Sequence, residues 1–168
     1  MEYFPLVDEE GNLIGQADRE TCHSGNFLLH PVVHLHVLNS KKEVYLQKRA
    51  QNKDIQPGKW DTSVGGHIGI NESVTDALVR ETSEELGING FDPVFVMKYK
   101  FISEVESELV YVFYTIFDGK IEPNKEEIET GRFWTMDEIV SCLGTKKFTP
   151  NFESEFKMIM TNSLIPLF

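Results

Sequence analysis

Apolar runs of strand length alternate along this chain with two or three stretches of helical period. Phe4-Pro5-Leu6-Val7 and Leu13-Ile14-Gly15-Gln16 flank a turn-rich stretch with Gly11, which predicts a hairpin. Residues 32–38 (VVHLHVL) and 44–46 read as strands around a turn at 39–42. Residues 95–102, 109–117 and 132–135 are also strand-like, being rich in Phe, Tyr, Val and Ile. Residues 73–86 have the helical period. Ser73 with Asp76 resembles a capping box, and Gly87 stands where a left-handed C-terminal cap belongs. Thr149 caps a further predicted helix with Pro150 at its first position, and Phe152, Phe156, Ile159, Met160 and Ser163 form its mostly apolar face. A shorter helix is expected over residues 136–143. The sequence holds no repeat, long linker or low-complexity segment. Strands before and after one strong helix predict an α/β class, a mixed α/β sandwich.

Composition narrows this picture. A chain of 168 residues suits one domain, 1–168, with the N-terminal hairpin region at 1–30. Acidic residues outnumber basic ones 27 to 16, a net charge of -11. Such a surface argues against a nucleic-acid polymer or an anionic membrane as partner, both of which need Lys and Arg. It favours metal cations, and a phosphorylated substrate would then need a metal between itself and the protein. Cys22 and Cys142 are too few and too far apart for a disulfide framework or a zinc cluster. The opening MEYFPLVDEEGNLIG carries acids where a signal peptide needs bases. No stretch approaches the roughly 18 apolar residues of a membrane span. A cytoplasmic enzyme is the expectation.

Glu81, Glu84 and Glu85 stand at i, i+3 and i+4, on one side of the central helix. Glu81 and Glu85 fall beside the apolar stripe of Val74, Ala77 and Leu78, where a solvated charge run would not lie. Carboxylates crowded at a buried edge repel one another, and a hard divalent cation such as Mg²⁺ relieves this. The competing reading of the spacing alone is an exposed acidic patch paired with Arg80 and lysines.

The surrounding residues carry a resemblance. Gly66, five residues, Glu72, seven residues, then Arg80-Glu81-Thr82-Ser83-Glu84-Glu85-Leu86-Gly87-Ile88 resembles the signature of the Nudix hydrolases, motif 66–88 here. All seven fixed positions match, and Thr82 stands where an aliphatic residue is usual. The resemblance implies an α/β/α sandwich with a mixed sheet, and Mg²⁺-assisted hydrolysis of a nucleoside diphosphate derivative, with Mn²⁺ as a substitute. It implies Glu81, Glu84 and Glu85 as metal ligands, with one of them or a glutamate elsewhere as base. Arg80 would orient the glutamates by salt bridges, and Glu72 would hold the loop and Arg80, or bind a further metal. Gly66 and Gly87 would supply backbone freedom, and Gly65 and Gly66 are candidates for substrate binding. A further acid from a later loop is expected at Glu127 or Glu126. Arg49 and Lys59, with Lys48 and Lys53 nearby, are candidates for terminal phosphates.

A second resemblance covers roughly residues 3–117. Leu46-Gln47-Lys48-Arg49, Pro57-Gly58-Lys59-Trp60-Asp61 and Ser63-Val64-Gly65-Gly66-His67 are similar to isopentenyl diphosphate isomerases, relatives with the same fold. It implies a second metal site at His23, His30, His67, Glu106 and Glu108, a donor set suited to Mn²⁺, Fe or Zn²⁺. The isomerases move a proton with a cysteine, and Gly65 stands in that place here. That departure, with the complete hydrolase signature, points to hydrolysis. An isomerase and a non-catalytic nucleotide-binding module are the alternatives. A homodimer is a weaker expectation, drawn from the habits of the family.

Overall fold

The computed structural model describes residues 1–166; Leu167 and Phe168, at the end of the expected domain, lie outside the described residues. The elements are β1 (Tyr3–Val7), β2 (Leu13–Asp18), α1 (Arg19–Cys22), β3 (Leu29–Leu38), β4 (Val44–Arg49), β5 (Trp60–Asp61), β6 (Val64–His67), α2 (Val74–Leu86), β7 (Val94–Ile102), β8 (Ser107–Ile116), β9 (Ile128–Trp134), α3 (Met136–Cys142) and α4 (Pro150–Thr161). The predicted hairpin is β1 paired antiparallel with β2. Within the 1–30 region it is followed by α1 and the first residues of β3.

The other seven strands form one mixed sheet around β3. On one side β3 runs parallel to β8, from Leu29↔Ser107 to Leu38↔Ile116. On the other it meets β6 antiparallel, with His34 opposite Gly65, and β4 at Leu38↔Val44. β4 continues to β5 and β9, and β8 to β7.

Both faces of β3 are covered, which is why its sequence reads as a near-continuous apolar run. Val33, Leu35 and Val37 pack with Ala77, Leu78 and Leu86 of α2. Val32 and Leu38 share the opposite core with Phe152, Phe156 and Ile159 of α4 and Ile139 of α3. The result is the expected α/β/α sandwich.

Local chemistry fixes the helix ends. Ser73 accepts from the Asp76 N–H at 3.1 Å and donates its hydroxyl to the Asp76 carboxylate at 2.7 Å. Gly87 caps α2 at φ 66°, a left-handed conformation that glycine adopts without steric cost. The reciprocal capping box occurs instead at Thr135 and Glu138, ahead of α3. Each such cap contributes about 1 kcal/mol.

The buried face of α4 corrects the sequence reading. Met160 is exposed, and Ser163 lies beyond the helix end. The stripe is Phe152, Glu155, Phe156 and Ile159, spaced i, i+3, i+4, i+7, with Glu155 fully buried. His34 and His36 of β3 supply its partners, described below.

Candidate active site

A cleft of about 420 Å³ opens along the edge of α2, over β6 and the N-terminal end of α4. Arg80 organises its acidic wall. The guanidinium grips both oxygens of Glu72, Nε to Oε1 at 2.7 Å and Nη2 to Oε2 at 2.9 Å. Nη1 reaches Glu81 at 2.7 Å and Glu84 at 3.3 Å, and Nη2 also donates to the His67 carbonyl at 3.0 Å. Glu72 in turn accepts the Gly69 N–H at 2.7 Å, which fixes the loop between β6 and α2. One arginine therefore ties the loop, β6 and two helix acids together, and hydrogen bonds to Glu72 hold its charge.

The three helix acids differ in environment. Glu84 is exposed, Glu81 is largely covered, and Glu85 is buried. Glu85 accepts from Gln47 Nε2 at 2.7 Å and lies 3.4 Å from the Gly65 amide. Burial, then the neighbouring Glu81 and Glu127 charges, push its pKa up to about 8. Burial raises Glu81 as well. Among the described residues Glu85 has no cationic side chain bonded to it, and Glu81 shares Arg80 with Glu72 and Glu84, so the pair is short of positive charge and a divalent cation would supply it. Gly66 is required here, since a Cβ at that position would collide with the Glu81 carboxyl group. Thr82, at the usual aliphatic position, is fully buried and satisfies its hydroxyl on the Leu78 carbonyl at 2.6 Å.

A second cluster adjoins the same cleft, with His23, His67 and Glu106 in its lining and His30 buried behind them. Ligand atoms of His23, His30, His67 and Glu106 all lie within 4.8 Å of one another. The Nε2 atoms of the three histidines and Glu106 Oε2 are buried without a hydrogen-bond partner. His23 Nε2 is 3.0 Å from Glu106 Oε2, and His30 Nε2 is 3.8 Å from it, without hydrogen-bond geometry. His30 Nδ1 is bonded to the Leu28 carbonyl at 2.9 Å, so it carries the proton and Nε2 turns a lone pair inward. Burial lowers the pKa of His30 and moves that of His67 well down, keeping both rings neutral. Three imidazoles and one carboxylate converging on a common point fit a transition-metal ion. Phe4 of β1 stacks on His67 at 4.1 Å and so packs the hairpin against this cluster. Glu108 faces the cleft but falls outside the four-residue group. Burial, then Glu106, lift its pKa to about 7.

The remaining candidates are distributed as follows. Glu127 lines the cleft and pairs with Lys53 at 3.4 Å, whereas Glu126 does not line it. Arg49 lines the cleft, held by Asp61 at 3.3 Å and the Ile55 carbonyl at 3.0 Å. Lys59 is outside the lining, and its carbonyl accepts the Arg49 N–H at 2.9 Å. Lys48 pairs with Glu129. Gly65 and Gly66 form part of the floor. Neither cysteine lines the cleft.

Two cleft residues, Gln47, which steadies Glu85, and His34 in the floor, were not legible as site residues, nor was Glu155 in the core behind His34. Glu155 accepts from His34 Nδ1 at 2.7 Å, His36 Nε2 at 2.6 Å and the Tyr99 hydroxyl at 2.6 Å. The available signal was polar residues at alternate positions of an otherwise apolar strand, 34 and 36, and one acid on the apolar stripe of α4.

Comparison with known proteins agrees with this geometry. Residues 28–156 match the family model for the NUDIX domain. The chain is 32% identical over 170 residues to isopentenyl-diphosphate Delta-isomerase 1 of Photorhabdus laumondii, covering 96% of this chain and 97% of that protein. It is 30% identical over 152 residues to an uncharacterized Nudix hydrolase of Streptomyces coelicolor, covering 89% and 83%. The crystal structure of DR0079 from Deinococcus radiodurans superimposes with a TM-score of 0.81 at 20% identity, over 94% of this chain and 98% of that one. Among the described residues, no helix is long and apolar enough to cross a membrane.

Proposed function

The chain belongs to the NUDIX domain family, and on that premise we propose that it is a Mg²⁺-dependent hydrolase that cleaves a phosphoanhydride bond in a nucleoside diphosphate derivative. The observation that carries the reading is the buried Glu85 beside Glu81, both held charged-ready at the cleft by Gln47 and Arg80. Glu81, Glu84 and Glu85 are the residues that would hold Mg²⁺ or Mn²⁺, with Glu127 facing them across the cleft. A cation there neutralises the diphosphate and lowers the pKa of a water molecule.

The protein's own groups do the rest. Arg80 and Glu72 fix the carboxylates so that little reorganisation accompanies reaction. The side-chain-free floor at Gly65 and Gly66 lets a phosphate approach the backbone closely. Arg49 and Lys53, at the rim, offer N–H donors to an outer phosphate. A glutamate of the acidic wall accepts the proton of the attacking water, a role for which a raised pKa such as that of Glu85 is suited.

The His23, His30, His67 and Glu106 cluster, with the isomerase-named relative, favours a second reading, an isomerase acting on a prenyl diphosphate. Against it stand Gly65, which supplies no thiol, and the complete set of helix acids. The test is mass spectrometry after incubation with Mg²⁺ and then Mn²⁺. The mixture holds nucleoside di- and triphosphates, nucleotide sugars, ADP-ribose, coenzyme A and prenyl diphosphates. Cleavage of one phosphoanhydride class is the expected result. Double-bond movement in the prenyl diphosphate alone would overturn it.

A further inference from the structure

His34 lies in the floor of the cleft, on β3 and outside the hydrolase signature. Its ring is fixed from behind: Nδ1 donates to Glu155 Oε2 at 2.7 Å, deep between β3 and α4. Glu155 is fully buried and is saturated by three donors, His34, His36 and Tyr99. The Tyr99 hydroxyl also lies 2.9 Å from the Asn151 side-chain amide, which locks this network to the start of α4. The second ring nitrogen, Nε2, makes no hydrogen bond among the described residues and belongs to a cleft-lining side chain. What exposes it is Gly65, its partner in the β3–β6 register. A Cβ at Gly65 would sit 3.3 Å from His34 Cδ2 and 3.6 Å from Nε2. The Gly65 amide, on its other side, is 3.4 Å from Glu85 Oε2. His34 is therefore separated from the acidic wall by one glycine.

Charge in the cleft sharpens this. Arg80 is engaged by Glu72, Glu81 and Glu84, Arg49 by Asp61, and Lys53 by Glu127. The counter-ion of His34 lies behind it in the core, 2.7 Å from Nδ1, so when the ring is doubly protonated its Nε2–H edge is directed at the cleft. Glu108 and Asp61 also act on the ring. Burial works against its charged form, but Glu155 outweighs burial and raises the pKa to about 9.

We propose that His34, oriented by Glu155, is a substrate-binding residue that donates Nε2–H to a phosphate oxygen of the substrate. The inference rests on the phosphoanhydride reading above and extends it. His34 touches substrate; Glu155 is a positioning residue that holds the ring plane and, as a buried carboxylate 2.7 Å from Nδ1, supports the doubly protonated ring whose Nε2–H is free to donate. No proton need be transferred, since a hydrogen bond to an anionic oxygen is sufficient.

The test uses methylenediphosphonate, whose P–C–P bridge resists hydrolysis, with Mg²⁺ and the full chain. Calorimetry gives the affinity of wild type and His34→Gln. Nitrogen-15 spectra of histidine-labelled wild type follow the His34 ring, identified by its loss in the variant. The expected results are a shift of the Nε2 resonance on saturation and about tenfold weaker binding by folded His34→Gln. Binding by wild type with an unmoved Nε2 resonance overturns this inference and leaves the hydrolase reading standing. Failure of wild type to bind the analogue overturns both. If His34→Gln does not fold, the wild-type ring is assigned by through-bond correlation to its own Cβ and backbone, and an Nε2 resonance that does not move on saturation overturns the inference.

Discussion

Replacing Glu85 with glutamine separates what the residue costs the fold from what it gives the site. Its carboxyl is buried, with Gln47 Nε2 at 2.7 Å as its main donor. Glutamine keeps the shape and an acceptor oxygen for that bond. Burial and the Glu81 and Glu127 charges raise the Glu85 pKa from 4.5 to about 8. The folded protein thus holds this proton more tightly than the unfolded chain does. Its contribution is fully present below about pH 4.5 and is lost as pH rises through about 8. The full difference corresponds to at most about 5 kcal/mol at high pH, and relaxation of the site reduces it. In EDTA, urea unfolding should find Glu85→Gln close to wild type at pH 5. At pH 9 the variant should be more stable by roughly 2–5 kcal/mol. Adding Mg²⁺, a hard cation that suits the carboxylates rather than the histidine cluster, should at pH 9 stabilise wild type and do little for the variant, by linkage of binding to folding. A variant no more stable than wild type at pH 9 in EDTA would refute the reasoning, because Glu85 would then not be a carboxylate waiting for a cation.

Two further outcomes follow from contacts in the cleft. Gly66→Ala drives a methyl group into the Glu81 carboxyl. The displaced acid should lower kcat about 100-fold, since catalytic groups tolerate about 1 Å of misplacement poorly; a kcat within a factor of two of wild type would count against Glu81 as a ligand. His67→Gln removes one of four converging ligands. Equilibrium dialysis with Mn²⁺ should then show loss of one class of site while the Glu85-dependent class remains, and unchanged stoichiometry would show that the histidine cluster holds no metal.

The parts legible in the sequence are those with a period or a cap. α2 announced itself through Ser73, its apolar stripe and Gly87, and the covered strand β3 through its apolar run. The arginine fork was readable in outline, because Arg80, Glu81 and Glu84 are helical neighbours. α1, β5 and β6 were not read as elements. α1 and β6 have four residues each and β5 has two, too few to show a period, and β6 (VGGH) has little strand propensity. The face of α4 was misjudged because an acid on an apolar stripe reads as an interruption. Glu155 is on that stripe because two histidines and a tyrosine from other strands satisfy it, and pairings so distant in sequence leave no local trace. Likewise, β3 carries His30, the hairpin segment ends near His23, and β6 ends at His67. Their meeting is a property of the sheet order, and the sequence gives it only through family resemblance. Lys59 was placed by sequence nearness to Arg49, but its side chain is absent from the cleft lining.

Hydrolysis of a phosphoanhydride is the reaction proposed for the cleft. Its most direct measurement is the isotope content of the products after turnover with Mg²⁺ in water enriched in both oxygen-18 and deuterium. The mixed phosphorylated substrates described above would be supplied. The account predicts one oxygen-18 in a phosphate for each anhydride cleaved, no deuterium bound to carbon, and loss of both cleavage and label in Glu85→Gln. Carbon-bound deuterium in a prenyl diphosphate whose phosphates remain joined and unlabelled would contradict it and establish the isomerase in its place.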